Sequence, residues 1–216
     1  MTDKMELRTI NVGYIGTNCY LAMNENTYEG IIVDPGHECK KITAAMSDMG
    51  MKPVAILLTH GHFDHIMAVN ELKAEYPDIC IYAAEAEHEL LGDAVLNCSD
   101  GLIHQPYTTA ADILVNDQDK IKAAGFEIEV IATPGHTAGG VCYHLRSEKL
   151  MFSGDTLFYG SVGRTDLPTG NFKILLDSLK TKLAVLDEDT EVYPGHGPMT
   201  TIGTEKQINP QMLMEL

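Results

Sequence analysis

Basic residues are scarce in this sequence. Fifteen Lys and Arg stand against thirty-one Asp and Glu, a formal net charge of −16 at neutral pH. A chain of that sign repels a phosphate backbone, so nucleic acid is not expected as partner or substrate. The acids are scattered rather than gathered into runs, the pattern of a well-solvated surface. No apolar stretch is long enough to span a bilayer, so no membrane partner is expected. Met1–Arg8 alternates charged and apolar residues and lacks the apolar centre of a secretory signal. The five cysteines, Cys19, Cys39, Cys80, Cys98 and Cys142, contain no C-x-x-C pair, and their odd number argues against a disulfide framework and against a structural zinc site. Each reads as a small buried hydrophobe, and a reducing, cytoplasmic setting is expected.

The chain does have enough apolar residues, 44% of 216, to bury a full core, and a single domain over residues 1–216 is expected. Leu7–Val12, Cys19–Met23 and Gly30–Val33 read as a β-meander ending at Asp34-Pro35-Gly36. Ile42, Ala45, Met46 and Met49 recur at helical spacing, and Val54–Leu58 is a continuous apolar run typical of a strand covered on both faces. Ile66, Val69, Leu72 and Tyr76 predict one helix that starts near Asp64 and ends before Pro77, followed by a strand at Ile79–Ala83 and a short helix at Glu85–Leu91. Asn97–Ala110 shows no periodicity and is expected to be a surface loop near the site.

Strands follow at Ile113–Val115, Lys120–Lys122 and Phe126–Ala132, the last alternating with one wet face, and Val141–Leu145 with Leu150–Ser153 form a hairpin. A Gly-rich segment leads to a helix capped by Asn171, and Thr190–Tyr193 is a last strand before a short helix and tail. Thr133-Pro134-Gly135-His136 and Tyr193-Pro194-Gly195-His196 echo one another, which suggests two similar strand-containing halves delivering ligands to one edge.

The densest chemistry lies after Val54–Leu58, where Thr59-His60-Gly61-His62-Phe63-Asp64-His65 places four potential metal ligands in six residues. Gly61 lets the backbone bend so that His60 and His62 can face one ion. Four ligands exceed the three that a catalytic zinc commonly takes from a protein. Two divalent ions are therefore expected once His136, Asp155 and His196 are added, with zinc preferred over iron or manganese. We assign His60, His62 and His136 to one ion, Asp64, His65 and His196 to the other, and Asp155 as the bridge. A hydroxide held between two such ions is a sufficient nucleophile, since a single zinc lowers the pKa of water to about 7. His37, His88, His104 and His144 lack strand-end Gly or Pro settings and read as surface or packing residues.

His60-x-His62-x-Asp64-His65, Thr133-Pro134-Gly135-His136-Thr137, Gly154-Asp155-Thr156-Leu157-Phe158 and Pro194-Gly195-His196-Gly197-Pro198, in that order, resemble the metallo-β-lactamase superfamily over almost the whole chain. The resemblance implies an α/β fold, a four-layer αββα sandwich with its metals at one edge of the two sheets. It also implies that Asp34 supports the metal-binding loop. Gly160-Ser161-Val162-Gly163-Arg164-Thr165-Asp166 is similar to the glyoxalase II group, hydroxyacylglutathione hydrolases, in its short single-domain bacterial form. That likeness implies Arg164 as a substrate-binding residue facing the carboxylate of a thiol carrier. The plain alternative is an arginine that locks its own loop. Two departures bear on the substrate. The chain runs only twenty residues past His196, without the helical domain of longer members. Asp166 stands where those members imply an aromatic residue, and an acid is a poor neighbour for an acidic thiol.

The expected function is a dinuclear metal hydrolase in which a metal-bridging hydroxide, positioned by the metals, attacks the carbonyl of a small-molecule thioester, with Asp64 and Asp155 as the catalytic residues. The thiolate needs little protonation to leave, in keeping with the lack of an obvious general acid. The alternative, from the same resemblance, is a mononuclear iron persulfide dioxygenase using His60, His136 and Asp155. A metal-stabilised binding scaffold without catalysis is a third reading, which the complete ligand set disfavours.

Overall fold

The alternating and apolar runs of the sequence become two six-stranded sheets. A computed structural model describes residues 4–214; the first three residues of the Met1–Arg8 stretch and the last two of the tail lie outside them. In the first sheet β1 (Met5–Val12), β2 (Thr17–Asn24) and β3 (Glu29–Val33) run antiparallel. Helix α1 (Cys39–Met49) then returns the chain so that β4 (Lys52–Leu57) lies parallel to β3. Helices α2 (Phe63–Ile66) and α3 (Val69–Glu75) precede β5 (Cys80–Ala84), and α4 (His88–Gly92) and α5 (Ser99–Ile103) precede β6 (Ile113–Val115), giving the order β1-β2-β3-β4-β5-β6.

The second sheet is built from β7 (Lys120–Ala123), β8 (Phe126–Ala132), β9 (Val141–Leu145) and β10 (Leu150–Gly154). A small hairpin, β11 (Leu157–Phe158) and β12 (Ser161–Val162), leads to α6 (Phe172–Ser178), which runs on through a π-helical turn at Leu179–Leu183. Strand β13 (Glu191–Pro194) then inserts parallel to β10, and β14 (Thr200–Thr201) closes the edge before α7 (Ile202–Ile208) and α8 (Pro210–Leu213). The order is β14-β13-β10-β9-β8-β7.

Period-two alternation sorts the side chains into layers. From the first sheet Tyr20, Ala22, Val33 and Leu57 point inward to meet Ile128, Val130, Tyr143 and Phe152 of the second. Their neighbours Leu21, Ile32 and Ile56 point the other way and are covered by Ile42 and Met46 of α1 and Leu72 of α3. On the far side Ile131, Met151 and Val192 pack under Leu175, Leu179 and Leu183. The result is the αββα sandwich, in which both sheets have two dry faces. Truncating a fully buried leucine such as Leu21 in this arrangement costs about 2–5 kcal/mol.

Three features differ from the sequence expectations. The single helix predicted from near Asp64 to before Pro77 is two, because the Asp34-Pro35-Gly36 turn takes over its amides: Ala68 N donates to Pro35 O at 2.9 Å and Met67 N to Gly36 O at 3.2 Å. Ile66, Val69 and Leu72 still share one buried face across the break. The Asn97–Ala110 stretch is not featureless, since it contains α5, whose first turn is held by Asn97 Oδ1 accepting from Ser99 N at 2.9 Å. Finally, the echoed turns do not mark two halves of the chain. Both belong to the second sheet, one after β8 and one at the end of β13, so the first sheet delivers its ligands from β4 alone.

Candidate metal centre

At one edge of the sandwich the loop after β4 meets the turns after β8, β10 and β13, and all seven predicted ligands converge there. Ligand atoms of His60, His62 and His136 form one group within 4.8 Å of one another, and those of Asp64, His65 and His196 form another. Asp155 lies between them. Its Oδ1 is 3.4 Å from His65 Nε2, and its Oδ2 is 3.6 Å from both His136 Nε2 and His196 Nε2. Asp64 Oδ2 is 3.2 Å from His196 Nε2 and accepts the Thr17 hydroxyl at 2.9 Å.

The ring orientations are set from behind. His65 Nδ1 lies 2.9 Å from Asp34 Oδ2, and His136 Nδ1 lies 2.6 Å from the Arg164 carbonyl. A carboxylate and a carbonyl only accept, so both rings carry their hydrogen on Nδ1 and offer Nε2 to the centre. Asp34 also accepts the Thr59 hydroxyl at 2.6 Å, which turns the Thr59 oxygen toward His60 Nδ1 at 3.2 Å and leaves His60 Nε2 free. His62 is placed differently, with Nδ1 2.9 Å from His136 Nε2. Asp34 thus lies behind both rings, in contact with His65 directly and with His60 through Thr59.

Whether these residues fit a metal can be judged from their unsatisfied atoms. His60 Nε2, His62 Nε2, His65 Nε2 and Asp155 Oδ1 are buried without a hydrogen bond. Buried polar atoms are otherwise almost always paired, and three of these, on His60, His65 and Asp155, come from residues whose ligand atoms lie within 4.8 Å of one another, which fits a cation-binding centre that His62 faces through Nδ1. The charge pattern agrees. Burial, reinforced by the surrounding imidazoles, holds His60 far below the usual histidine value and His62 down to about 3, so both rings are neutral. Burial works against a charged His65 as well, but Asp64, Asp155 and Asp34 outweigh it and raise its pKa. Asp64 and Asp155 stay ionised, because His65 leads the neighbours that overcome the cost of their burial.

Several residues that the sequence did not mark hold this arrangement together. Glu87 is 1% exposed, and its two carboxylate oxygens accept from Gly61 N and Gly139 N, each at 2.8 Å. It ties the His60–His62 loop to the turn that follows His136. Gly61 serves clearance rather than a bend, since a Cβ there would lie 2.6 Å from Leu90 Cδ2. Gly195 is needed for the same reason, because its Cβ would lie 2.3 Å from Asp155 Oδ1. Asn18 clamps the His196 turn across the sandwich, donating from its backbone to Gly195 O at 2.7 Å and from its side chain to Gly197 O at 2.9 Å. Nothing in the sequence pattern separates Glu87 or Asn18 from ordinary surface residues.

A cavity of about 320 Å³ opens onto the cluster. Its walls include Ile15, Leu102, Phe158 and Leu167, with Cys98 and Leu102 supplied by the Asn97–Ala110 segment. Phe63 N donates to Asn97 O at 3.0 Å, which pins that segment beside the ligand loop. Arg164 reaches the cavity, but its guanidinium is engaged by Asp166 through Nε–Oδ1 at 2.6 Å and Nη2–Oδ2 at 2.8 Å. Of the remaining histidines His144 is buried and His88 and His104 are exposed, none of them in the cluster. All five cysteines are free, and none joins the cluster.

Comparison with known proteins agrees with the fold. The sequence matches the metallo-beta-lactamase superfamily over residues 12–196. The chain belongs to that superfamily. A "Probable metallo-hydrolase YqgX" of Bacillus subtilis is 41% identical over 95% of this chain and 97% of its own length. A "Hydroxyacylglutathione hydrolase GloC" of Haemophilus influenzae is 34% identical over 95% and 97%. Among solved structures, BLEG-1, titled a B3 metallo-beta-lactamase, superposes with a TM-score of 0.92 at 39% identity, covering 97% of this chain and all of that one (100%). TTHA1623 in a di-iron-bound form superposes at 0.83 with 35% identity, covering 94% and 98%. No helix among the described residues is long and apolar enough to cross a membrane.

Proposed function

We propose that the protein is a metal-dependent hydrolase that holds two divalent ions and cleaves a small-molecule thioester in the manner of a hydroxyacylglutathione hydrolase. The observation that carries this reading is the pair of ligand triads meeting at Asp155, with its Oδ1 and two histidine Nε2 atoms buried and unpartnered at the centre. His60, His62 and His136 would hold one ion, Asp64, His65 and His196 the other, with Asp155 between. When bound, such ions lower the pKa of water to supply the nucleophile and polarise a carbonyl oxygen. Zinc suits the histidine-rich donor set, and iron or manganese are the other candidates.

The chain's own residues orient, exclude and neutralise. Asp34, through His65 and Thr59, fixes two rings so that their Nε2 atoms point at the centre. Asp64 and Asp155 supply negative charge at the floor, and the apolar walls at Phe63, Leu102 and Phe158 thin the water around the reacting carbonyl. Among the described residues that line the cavity beyond the ligand cluster there is no Tyr, Lys or Ser to protonate a leaving group, and the one thiol, Cys98, has its pKa raised by burial. A thiolate needs no such donor and an amine does, which favours a thioester over a lactam. The relative named a hydroxyacylglutathione hydrolase supports the same choice. The one-iron dioxygenase alternative would leave the group of Asp64, His65 and His196 unused. Because both sheets contribute ligands, residues 1–216 act as one domain in this reading, in a reducing, cytoplasmic setting suited to its free thiols.

The test is thiol release from S-lactoylglutathione and related hydroxyacyl thioesters by the zinc-, iron- and manganese-loaded protein, beside a β-lactam, a lactone and a persulfide. Hydrolysis of a thioester at rates well above the others is the expected result. Sulfide-dependent oxygen uptake with a single iron, or turnover confined to the lactam, would replace this reading.

A further inference from the structure

The mouth of the cavity is poor in positive charge. Arg164 is the one Lys or Arg among the described residues that line it, and an adjoining cleft of about 250 Å³, which shares Ile15, Phe63 and Asp64, has none. Arg164 is already engaged, since the two parallel contacts to Asp166 at 2.6 and 2.8 Å are the planar fork by which a guanidinium binds a carboxylate. Both side chains are more than half exposed, at 59% and 68%. An incoming carboxylate would have to displace Asp166 and then remain beside its charge, and the pair taken together offers it no net attraction. Much of the other exposed surface at this rim is apolar: Ile15 and Leu102 are each 56% exposed and Tyr14 beside Ile15 is 97% exposed, while Gln105 and the half-buried His37 are, with Asp64, the polar residues of the adjoining cleft.

Resting on the thioester reading, we propose that the substrate arm lying along this mouth is an uncharged, largely apolar one, and that Asp166 determines this specificity by occupying Arg164. A carrier that presents free carboxylates there, as glutathione does, is disfavoured. Asp166 does not touch the reacting atoms; it sets what Arg164 can bind.

The experiment compares S-methylglutathione with its diethyl ester, in which two ethyl groups remove both carboxylate charges, by ligand-observed NMR titration of the zinc-loaded wild-type and Asp166→Asn proteins, and the variant separates the effect of charge from that of the added ethyl groups. Binding needs no turnover. The diethyl ester should bind the wild type at least about threefold more tightly. Asp166→Asn should tighten the free acid by about two- to fivefold, the scale of one exposed ion pair, and leave the diethyl ester unchanged or weaker. A wild type that prefers the free acid, a variant that does not tighten it, or no measurable binding of either ligand overturns the proposal. Turnover of S-lactoylglutathione and its diethyl ester is measured separately. If neither is cleaved while the binding pattern holds, the thioester reading fails and the role of Asp166 stands.

Discussion

Asp34 Oδ2 lies 2.9 Å from His65 Nδ1, which puts the residue just after β3 behind a candidate ligand within α2. The same carboxylate accepts the Thr59 N–H at 2.8 Å and the Thr59 hydroxyl at 2.6 Å. One buried anion therefore orients His65 directly and His60 through Thr59, and each triad depends on it.

Asp34→Asn is expected to weaken metal binding about 10- to 100-fold. Three donors converge on this carboxylate, and an amide would turn its own NH₂ toward one of them. Competition against a calibrated chelator measures the change. Unaltered affinity would mean that the rings are oriented by packing alone.

Glu87→Gln tests the tie between the two ligand loops. Glutamine keeps the volume but can accept from only one of Gly61 N and Gly139 N, leaving the other backbone amide facing an NH₂ group. We expect a loss of about 1–3 kcal/mol in urea unfolding of the metal-free protein. A midpoint within error of the wild type would remove Glu87 from the site's support.

How much of this was legible beforehand follows from where each residue gets its partners. His60 to His65 stand out because one strand end supplies them all, and Asp155 and His196 because a Gly sits beside each at a strand end. The sheets follow from apolar alternation, which depends only on neighbours in the chain. Glu87 was invisible because a glutamate in a short helix looks the same whether it faces water or two amides brought from residues 61 and 139. The break at Met67 depends on carbonyls of Pro35 and Gly36, about thirty positions away. Arg164 shows both sides of the limit. Its place near the site was readable, while its engagement by Asp166 was settled only by side-chain geometry.

The metal-free protein should be most stable near pH 6.5. His62 is held down to about 3 in the fold against an ordinary value of 6.5, and His60 is lowered in the same sense. Between those values the unfolded chain binds more protons, so stability rises with pH, by up to about 1.4 kcal/mol per unit for each ring. Asp64 and Asp155, whose values are lowered, add stability above 3.8 that is lost in acid, while Glu87, raised by burial, offsets part of the slope above 4.5. His65 has the opposite sign, because its value is raised: its contribution is complete below 6.5 and fades as pH climbs toward the folded value. Urea titrations of chelated protein from pH 4 to 9 would check the maximum, and a stability that climbs steadily to pH 9 would contradict the assignment of His65.

Metal removal should proceed in two steps, because the two triads differ in access to water. His60, His62 and His136 are 2–4% exposed, whereas the Asp64 and His196 side chains are 15% and 23% exposed. Solvent and chelator reach the second group first. Limited dialysis against a chelator is therefore expected to leave a species with one ion before the metal-free protein appears, and His196→Ala should be isolated with one ion in place of two. His60→Ala removes a ligand at the buried group, next to the shared Asp155, and should lower the content of both. Elemental analysis of the three proteins at each stage reads this out. Zinc addition should also raise the melting temperature more at pH 8 than at pH 6, since His65 must give up its proton before Nε2 can bind. Loss of both ions from His196→Ala would mean that the triads bind as one unit, and retention of both in His60→Ala would show that the buried group is not a metal site.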